Sequence, residues 1–301
     1  LNLTQGPAVA EFEKVLAHAC GAKYAVAVSS ATAGLHIACL AAGVGPGDEV
    51  ITSPITFVAS ANCALYCGAR PMFADVDLPT ALISPEKLSE RLGPRTRAVI
   101  PVHFAGQSAA MDQISDCVRA AERKHGTKIH IIEDAAHALG ATYRGKPVGS
   151  CQFSDMAVFS FHPVKHITTG EGGAVLTNDP LLYRRLTLFR SHGITRDRDL
   201  LEDVSTQPWG YEQHELGYNY RLTDLQSALG ISQLKRLPEF VRRRREIAAR
   251  YRREFMDLPG ISLLNETSES ENSYHLFVIL LNFEKYGGRS ALMERLQKNA
   301  R

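Results

Sequence analysis

The chain has 301 residues, 45% of them hydrophobic and 22% charged, with a net charge of +2. That length suggests about two domains and a core that needs no disulfide or metal staple, while the near-neutral charge argues against a generally nucleic-acid-binding or membrane-bound chain. No apolar run approaches the roughly 20 residues of a membrane helix, and the cysteines, Cys20, Cys39, Cys63, Cys67, Cys117 and Cys151, are too sparse for a disulfide framework and suit free thiols in a reducing cytoplasm.

In chain order, apolar periodicity predicts a helix over 8–20, with Val9, Phe12, Leu16 and Cys20 on one face, and a β-rich strand over 24–28. A helix over 32–42 ends at Gly43 and a Gly-Pro-Gly turn. Strands over 49–52 and 72–76 flank a helix over 60–67, and a helix over 84–92 starts with Pro85 in its first turn. A strand over 98–103, a helix over 111–125 and an apolar strand over 128–132 follow. The run from Met156 to Phe161 reads as another buried strand, and 174–176 as the next, stopped by Asn178-Asp179-Pro180. This alternation predicts an α/β fold with a mostly parallel central sheet and helices on both faces. Near Pro238 the organisation changes. A basic helix over 239–256 carries an apolar stripe (Phe240, Val241, Ile247, Tyr251, Phe255), which reads as a solvated helix packed on one side. A strand over 274–282 and a helix from Ser290 complete the pattern. Residues 1–237 are expected to form a large cofactor-binding domain, and 238–301 to begin a smaller α+β domain.

The stretch FSFHPVKHITTGEGGAVLTND holds the most unusual residue. Lysines normally keep their ammonium in water. Lys165 instead is expected at the end of an apolar strand, just before threonines and glycines, so it is either an accident of structure or a reactive amine. Three other features belong with it. SSATAGLHIA, over 29–38, follows a strand and opens a helix with small residues; it can cradle an anion, although a serine or threonine there is ordinarily an N-cap. In IHIIEDAAHALGA, Asp134 falls at the carboxyl end of a strand, where ligands collect in open parallel sheets. Alone it too could be an N-cap, but it precedes Lys165 by 31 residues with one strand-sized segment between. In PITFVASANC, Phe57 follows a strand at that edge and could cover a flat heterocycle or tuck into the core. A phosphate cradle, a carboxylate, an aromatic and a lysine form the set that pyridoxal 5′-phosphate (PLP) requires.

Seven segments in order, LTQGPAVAEFE, SSATAGLHIA, SPITFVASANC, PVHFAGQ, EDAAHALGA, FSFHPVKHITTGEGGAVLTND and ELGYNYRLTDLQSALGISQL, resemble the DegT/DnrJ/EryC1/StrS family of PLP-dependent sugar aminotransferases. The resemblance covers nearly the whole chain. It implies the fold-type I PLP-dependent transferase architecture and a truncated N-terminus. It also implies roles: Lys165 as the lysine that carries the cofactor, Asp134 on the pyridine nitrogen, and His137, one helical turn later, beside the ring hydroxyl. Ala31, Thr32 and Ser160 would hold the phosphate and Phe57 would stack on the ring. Asn219 would reach the phosphate bound by a partner subunit, so that a homodimer shares its sites. The last two segments, with RSHGITRD and PWGYE between them, look most like the pseudaminic-acid branch. That branch takes an amino group from glutamate and aminates the C4 ketone of a UDP-linked 4-keto-6-deoxy-N-acetylhexosamine to give UDP-4-amino-4,6-dideoxy-N-acetyl-β-L-altrosamine. dTDP- and GDP-linked keto-sugars are alternatives within the family. Some relatives carry histidine at the lysine position and dehydrate sugars; Lys165 favours transamination here.

Readings of other classes are a nicotinamide oxidoreductase and a PLP-fold scaffold that binds a sugar nucleotide without turnover. The oxidoreductase needs Gly-x-Gly-x-x-Gly between a strand and a helix; GVGPG lies in the reverse order and GEGG has the wrong spacing. The i, i+4 pairs Cys63/Cys67 and His162/His166 read as core packing and as non-converging turn residues rather than metal ligands.

Overall fold

The computed structural model describes residues 3–197, 201 and 209–299. Pro208 of PWGYE lies outside the described residues, as do the terminal Leu1 and Arg301 of the two expected domains. A seven-stranded sheet organises the molecule: β1 (Tyr24–Val28), β2 (Glu49–Thr52), β3 (Arg70–Phe73), β4 (Thr96–Ile100), β5 (His130–Asp134), β6 (Met156–Ser160) and β7 (Gly173–Thr177). Their spatial order is β1-β7-β6-β5-β4-β2-β3. Every neighbouring pair from β6 to β3 is parallel, and β7 runs antiparallel to both β1 and β6. Because β7 reverses between them, β1 and β6 point the same way. The carboxyl ends of β1, β2, β4, β5 and β6 therefore share one edge.

The period-2 alternation of strand side chains divides the core between the two faces. Val26, Val28, Val50, Ala98, Ile100, Ile132, Met156, Val158 and Val175 pack on one face with helices α2 (Ala31–Ala41), α3 (Ala59–Tyr66) and α6 (Pro180–Arg190). Ala25, Ala27, Ala157, Phe159, Ala174 and Leu176 pack on the other with α1 (Pro7–Cys20), α7 (Asp224–Leu234) and α8 (Leu237–Phe255). On that same face Ile51, Val99 and Ile131 meet α4 (Pro85–Arg91) and α5 (Met111–His125). Both faces are covered, which is why these strands read as continuous apolar runs.

Some boundaries differ from the expected ones. The strand expected over 128–132 lies two residues later and includes Asp134. The strand expected over 72–76 ends at Phe73, and Val76–Asp77 pairs instead with Leu82–Ile83 in a small ribbon. Only Ile279–Leu281 (β9) forms from the strand expected over 274–282, paired with Ile261–Leu263 (β8). Tyr274 takes a left-handed φ of 51°, and Arg244 claims the carbonyls of Tyr274 and His275, so this stretch cannot join a ladder. The last helix, α9 (Arg289–Asn299), starts close to its expected position. Two of the four consecutive arginines of α8 turn inward: Arg244 on those carbonyls and Arg245 on that of Asn272. Arg242 and Arg243 pair with Glu246 at the surface. No helix among the described residues is long and apolar enough to cross a membrane.

Candidate active site

The shared strand edge opens into a cavity of about 420 Å³, within the range of small-molecule sites. Its lining includes Ala31, Thr32, Phe57, Asp134, His137, Ser160 and Lys165. Seven of the eight residues expected at the site thus meet in one place. Asn219 does not line the cavity; it is exposed and bridges to Ser191.

Asp134 is the last residue of β5, in register with Val158 of β6. Its neighbour Glu133 faces the opposite side of the sheet, where it accepts from Ser154 Oγ and His103 Nε2, at 2.5 and 2.7 Å. His103 Nδ1 accepts from the Ala109 amide, so the ring proton sits on Nε2. Asp134 is left to face the cavity. Its Oδ2 accepts from Ser60 Oγ at 2.6 Å and its Oδ1 from the Ala136 amide at 3.2 Å. Thr56 Oγ1 lies 2.7 Å from the same Ser60 hydroxyl, so one chain of hydroxyls ties the carboxylate to the loop that carries Phe57. Ser60 was missed in the sequence; a serine inside the apolar start of a helix was the available signal.

Lys165 is not at the strand end itself. Strand β6 stops at Ser160, and residues 162–168 form a loop closed on Phe161, whose carbonyl accepts from the Thr169 amide and the Thr168 hydroxyl. Lys165 sits within that loop, with its amide on the His162 carbonyl at 2.9 Å. Burial pushes its amine below the ordinary lysine range, and the Asp134 carboxylate pulls the other way. His137 likewise is not on a helix. The chain after Asp134 makes successive tight turns, with Ala138 amide to Ala135 carbonyl and Ala141 amide to Ala138 carbonyl. Burial, then Lys165, lower the pKa of His137 to about 4 against the opposing pull of Asp134. His162 is exposed near Glu171, while His166 is buried and donates from Nε2 to the Ser273 carbonyl at 3.1 Å; the two diverge.

Helix α2 presents its N-terminus to the cavity, with Ser30 as N-cap on the Ala33 amide. A Cβ on Gly173 would stand 2.6 Å from the Ala31 nitrogen, so only glycine lets β7 run this close beneath the helix start. The sequence offered no sign of one further residue, His275. Its Nε2 lies 3.4 Å from Lys165 Nζ, and its ring lies against that of His137, centroids 4.3 Å apart and planes tilted by 40°. The residues present fit PLP. A helix N-terminus suits a phosphate, a strand-end carboxylate suits a ring nitrogen, and a half-buried lysine suits an aldehyde. His137 Nδ1 is buried with no partner among the described residues, an orphan that a ring hydroxyl would satisfy.

Comparison with known proteins gives the same direction. The model of the DegT/DnrJ/EryC1/StrS aminotransferase family matches residues 2–300. The spore coat polysaccharide biosynthesis protein SpsC of Bacillus subtilis is 43% identical over 285 residues, 95% of this chain and 71% of that protein. PseC of Helicobacter pylori, described as an aminotransferase involved in the biosynthesis of pseudoaminic acid, superposes with a TM-score of 0.87 at 35% identity, covering 99% of this chain and 76% of that one. Spr1654 of Streptococcus pneumoniae in its PLP form gives a TM-score of 0.87 at 30% identity, over 99% and 76% of the two chains.

Proposed function

The chain belongs to the DegT/DnrJ/EryC1/StrS aminotransferase family and uses pyridoxal 5′-phosphate, and on that premise we propose that it moves an amino group from glutamate to the C4 ketone of a UDP-linked 4-keto-6-deoxy-N-acetylhexosamine. The product would be UDP-4-amino-4,6-dideoxy-N-acetyl-β-L-altrosamine. The observation that carries transamination is Lys165, a partly buried amine in the same cavity as Asp134. The likeness to PseC supports this particular sugar. The identity to SpsC favours a second reading within the class, an amino-sugar for another polysaccharide.

When bound, PLP supplies an aldehyde that takes up amines and a ring that accepts electrons. The chain's own residues do the rest. Asp134 would accept from the protonated ring nitrogen, and the hydroxyl chain through Ser60 and Thr56 holds Asp134. The amides of Ala31 and Thr32, with the Ser160 hydroxyl, would bind the phosphate at the positive end of α2. Phe57, 68% exposed in this chain alone, would cover the ring face. His137 would meet the ring hydroxyl. Lys165 takes the proton from the donor's α-carbon and returns one to the acceptor sugar's carbon; burial lowers its pKa, which raises the share of free amine that can do that work.

The same reading includes a homodimer in the cytoplasm, with Asn219 serving a second copy's cavity. It keeps 1–237 as the cofactor-binding unit and 238–301 as the opening of a second. The test is direct. Glutamate added to the PLP-loaded protein should bleach its visible absorbance and release 2-oxoglutarate, and the bleached protein should then aminate one member of a panel of UDP-, dTDP- and GDP-linked keto-sugars. Persistent colour with no 2-oxoglutarate would make the protein a binder rather than a transaminase.

A further inference from the structure

His275 reaches the site from a segment 110 residues beyond Lys165, and its position is built rather than incidental. On one side of it the Ser273 amide bonds the Gly106 carbonyl; on the other the Leu276 amide bonds the Ala105 carbonyl. Arg244 Nη1 reaches the carbonyls of Tyr274 and His275 at 3.1 and 3.3 Å. Gly106, at φ 109°, leaves no room for a side chain: a Cβ there would stand 2.6 Å from the Tyr274 nitrogen and 2.9 Å from that of His275. The ring thus arrives with its backbone held from three directions and its Nε2 against the lysine amine. Its Nδ1 is buried without a partner, so the contact to Lys165 is the only polar contact the ring makes among the described residues.

We propose that His275 is a positioning residue for Lys165, a neutral imidazole that hydrogen-bonds the lysine amine through Nε2 and aims it at the reacting carbon. The proposal rests on the transaminase reading above. In that reading Lys165 alternates between free amine and ammonium. A neutral imidazole serves both states, because Nε2 accepts from an ammonium in one tautomer and donates to an amine in the other. The groups around it keep it neutral. Lys165 and His166 face it from the β6–β7 loop, His137 from the turns after β5 and Arg244 from α8, while Asp134, the acidic group of this cluster, acts on Lys165 and His137. Burial first, then the Lys165 ammonium, with smaller contributions from His137, His166 and Arg244, push the ring down to about 2. A ring that resists protonation does not retain the proton that Lys165 must deliver; it only fixes where the amine points.

The experiment compares the unsubstituted protein with His275→Leu and His275→Gln in two measurements. The first labels Lys165 with trinitrobenzenesulfonate in cofactor-free protein across pH and reads the peptide by mass. The second takes kcat and KM for glutamate in the PLP-loaded protein. His275→Leu should move the labelling midpoint down by about one pH unit, because the ammonium loses an acceptor. It should also lower kcat about tenfold or more with KM within about threefold. His275→Gln, whose amide can accept and donate, should restore both to within about threefold. A labelling profile for His275→Leu that superimposes on the parent's overturns the proposal, even if activity falls. If no keto-sugar is aminated but the labelling shift appears, the proposed reaction fails while the positioning contact stands. Should His275→Leu not fold, imidazole nitrogen resonances of the unsubstituted protein decide: a ring neutral from pH 8 to 5 supports the proposal, and a titration midpoint near 6 overturns it.

Discussion

The two halves of the site are held by different forces. Asp134 and the loop of Lys165 extend from β5 and β6, neighbouring parallel strands in the middle of a sheet covered on both faces. The 272–276 segment that brings His275 lies in no ladder among the described residues; the pairing just before it is the two-residue ribbon of Ser270–Glu271 with Thr142–Tyr143. It is held by two backbone bonds to Ala105 and Gly106, by side chain-to-backbone bonds from Arg244 and Arg245, and by the close approach at Gly106. A strand ladder inside a packed core opens only with global unfolding, whereas a segment held by a few such bonds opens locally. One half of the site is therefore rigid scaffold, and the other can detach without unfolding it.

Substitutions can break this comparison in order of size. The largest effect belongs to the rigid half: Lys165→Ala should cost about 10²–10⁴-fold in kcat with the melting temperature nearly unchanged, measured by single turnover with glutamate. Asp134→Asn keeps an acceptor for Ser60 but removes the charge, and should cost about 10²–10³-fold, read in the same assay with PLP affinity followed by titration. Gly106→Ala strikes the other half. The left-handed φ and the 2.6 Å approach should cost about 1–3 kcal/mol in denaturant melts. Amide exchange should quicken over 272–276 and stay slow in β5 and β6; equal exchange in both regions would remove the distinction drawn here.

The smallest effect is one of pH. His166 is 4% exposed, and burial first, then Arg244, lower its folded pKa to about 3, below the unfolded 6.5. The unfolded state binds more protons between those values, so stability is full above pH 6.5 and is lost as pH falls toward 3. From pH 6.5 to 5 the loss should be about 2 kcal/mol, and His166→Asn should flatten that slope in melts at the two pH values. An unchanged slope would mean that the histidine cluster is open to water.

Strand positions were legible because a doubly covered parallel sheet leaves an unbroken apolar signature, and β1, β2 and α5 fall where the periodicity puts them. Asp134 and Lys165 were legible as a pair because their 31-residue spacing spans one strand. The errors collect where the backbone departs from periodic structure. His137 was expected on a helix and sits in tight turns, and Lys165 was expected at a strand end and sits in a closed loop, since turn geometry depends on hydrogen bonds that composition does not reveal. Ser60 was hidden because a buried serine in an apolar segment looks like an interruption until the carboxylate it serves is seen.

What the sequence determined alone was therefore the local and periodic part: the α/β sheet, the edge on which ligands gather, and the lysine, carboxylate, aromatic and small-residue turn that converge there. What only the tertiary structure decided was which distant groups meet them. Ser60 on Asp134 and His275 on Lys165 join positions 74 and 110 residues apart. Such contacts arise from the packing of whole elements, whereas a sequence pattern reports only the face that each element buries.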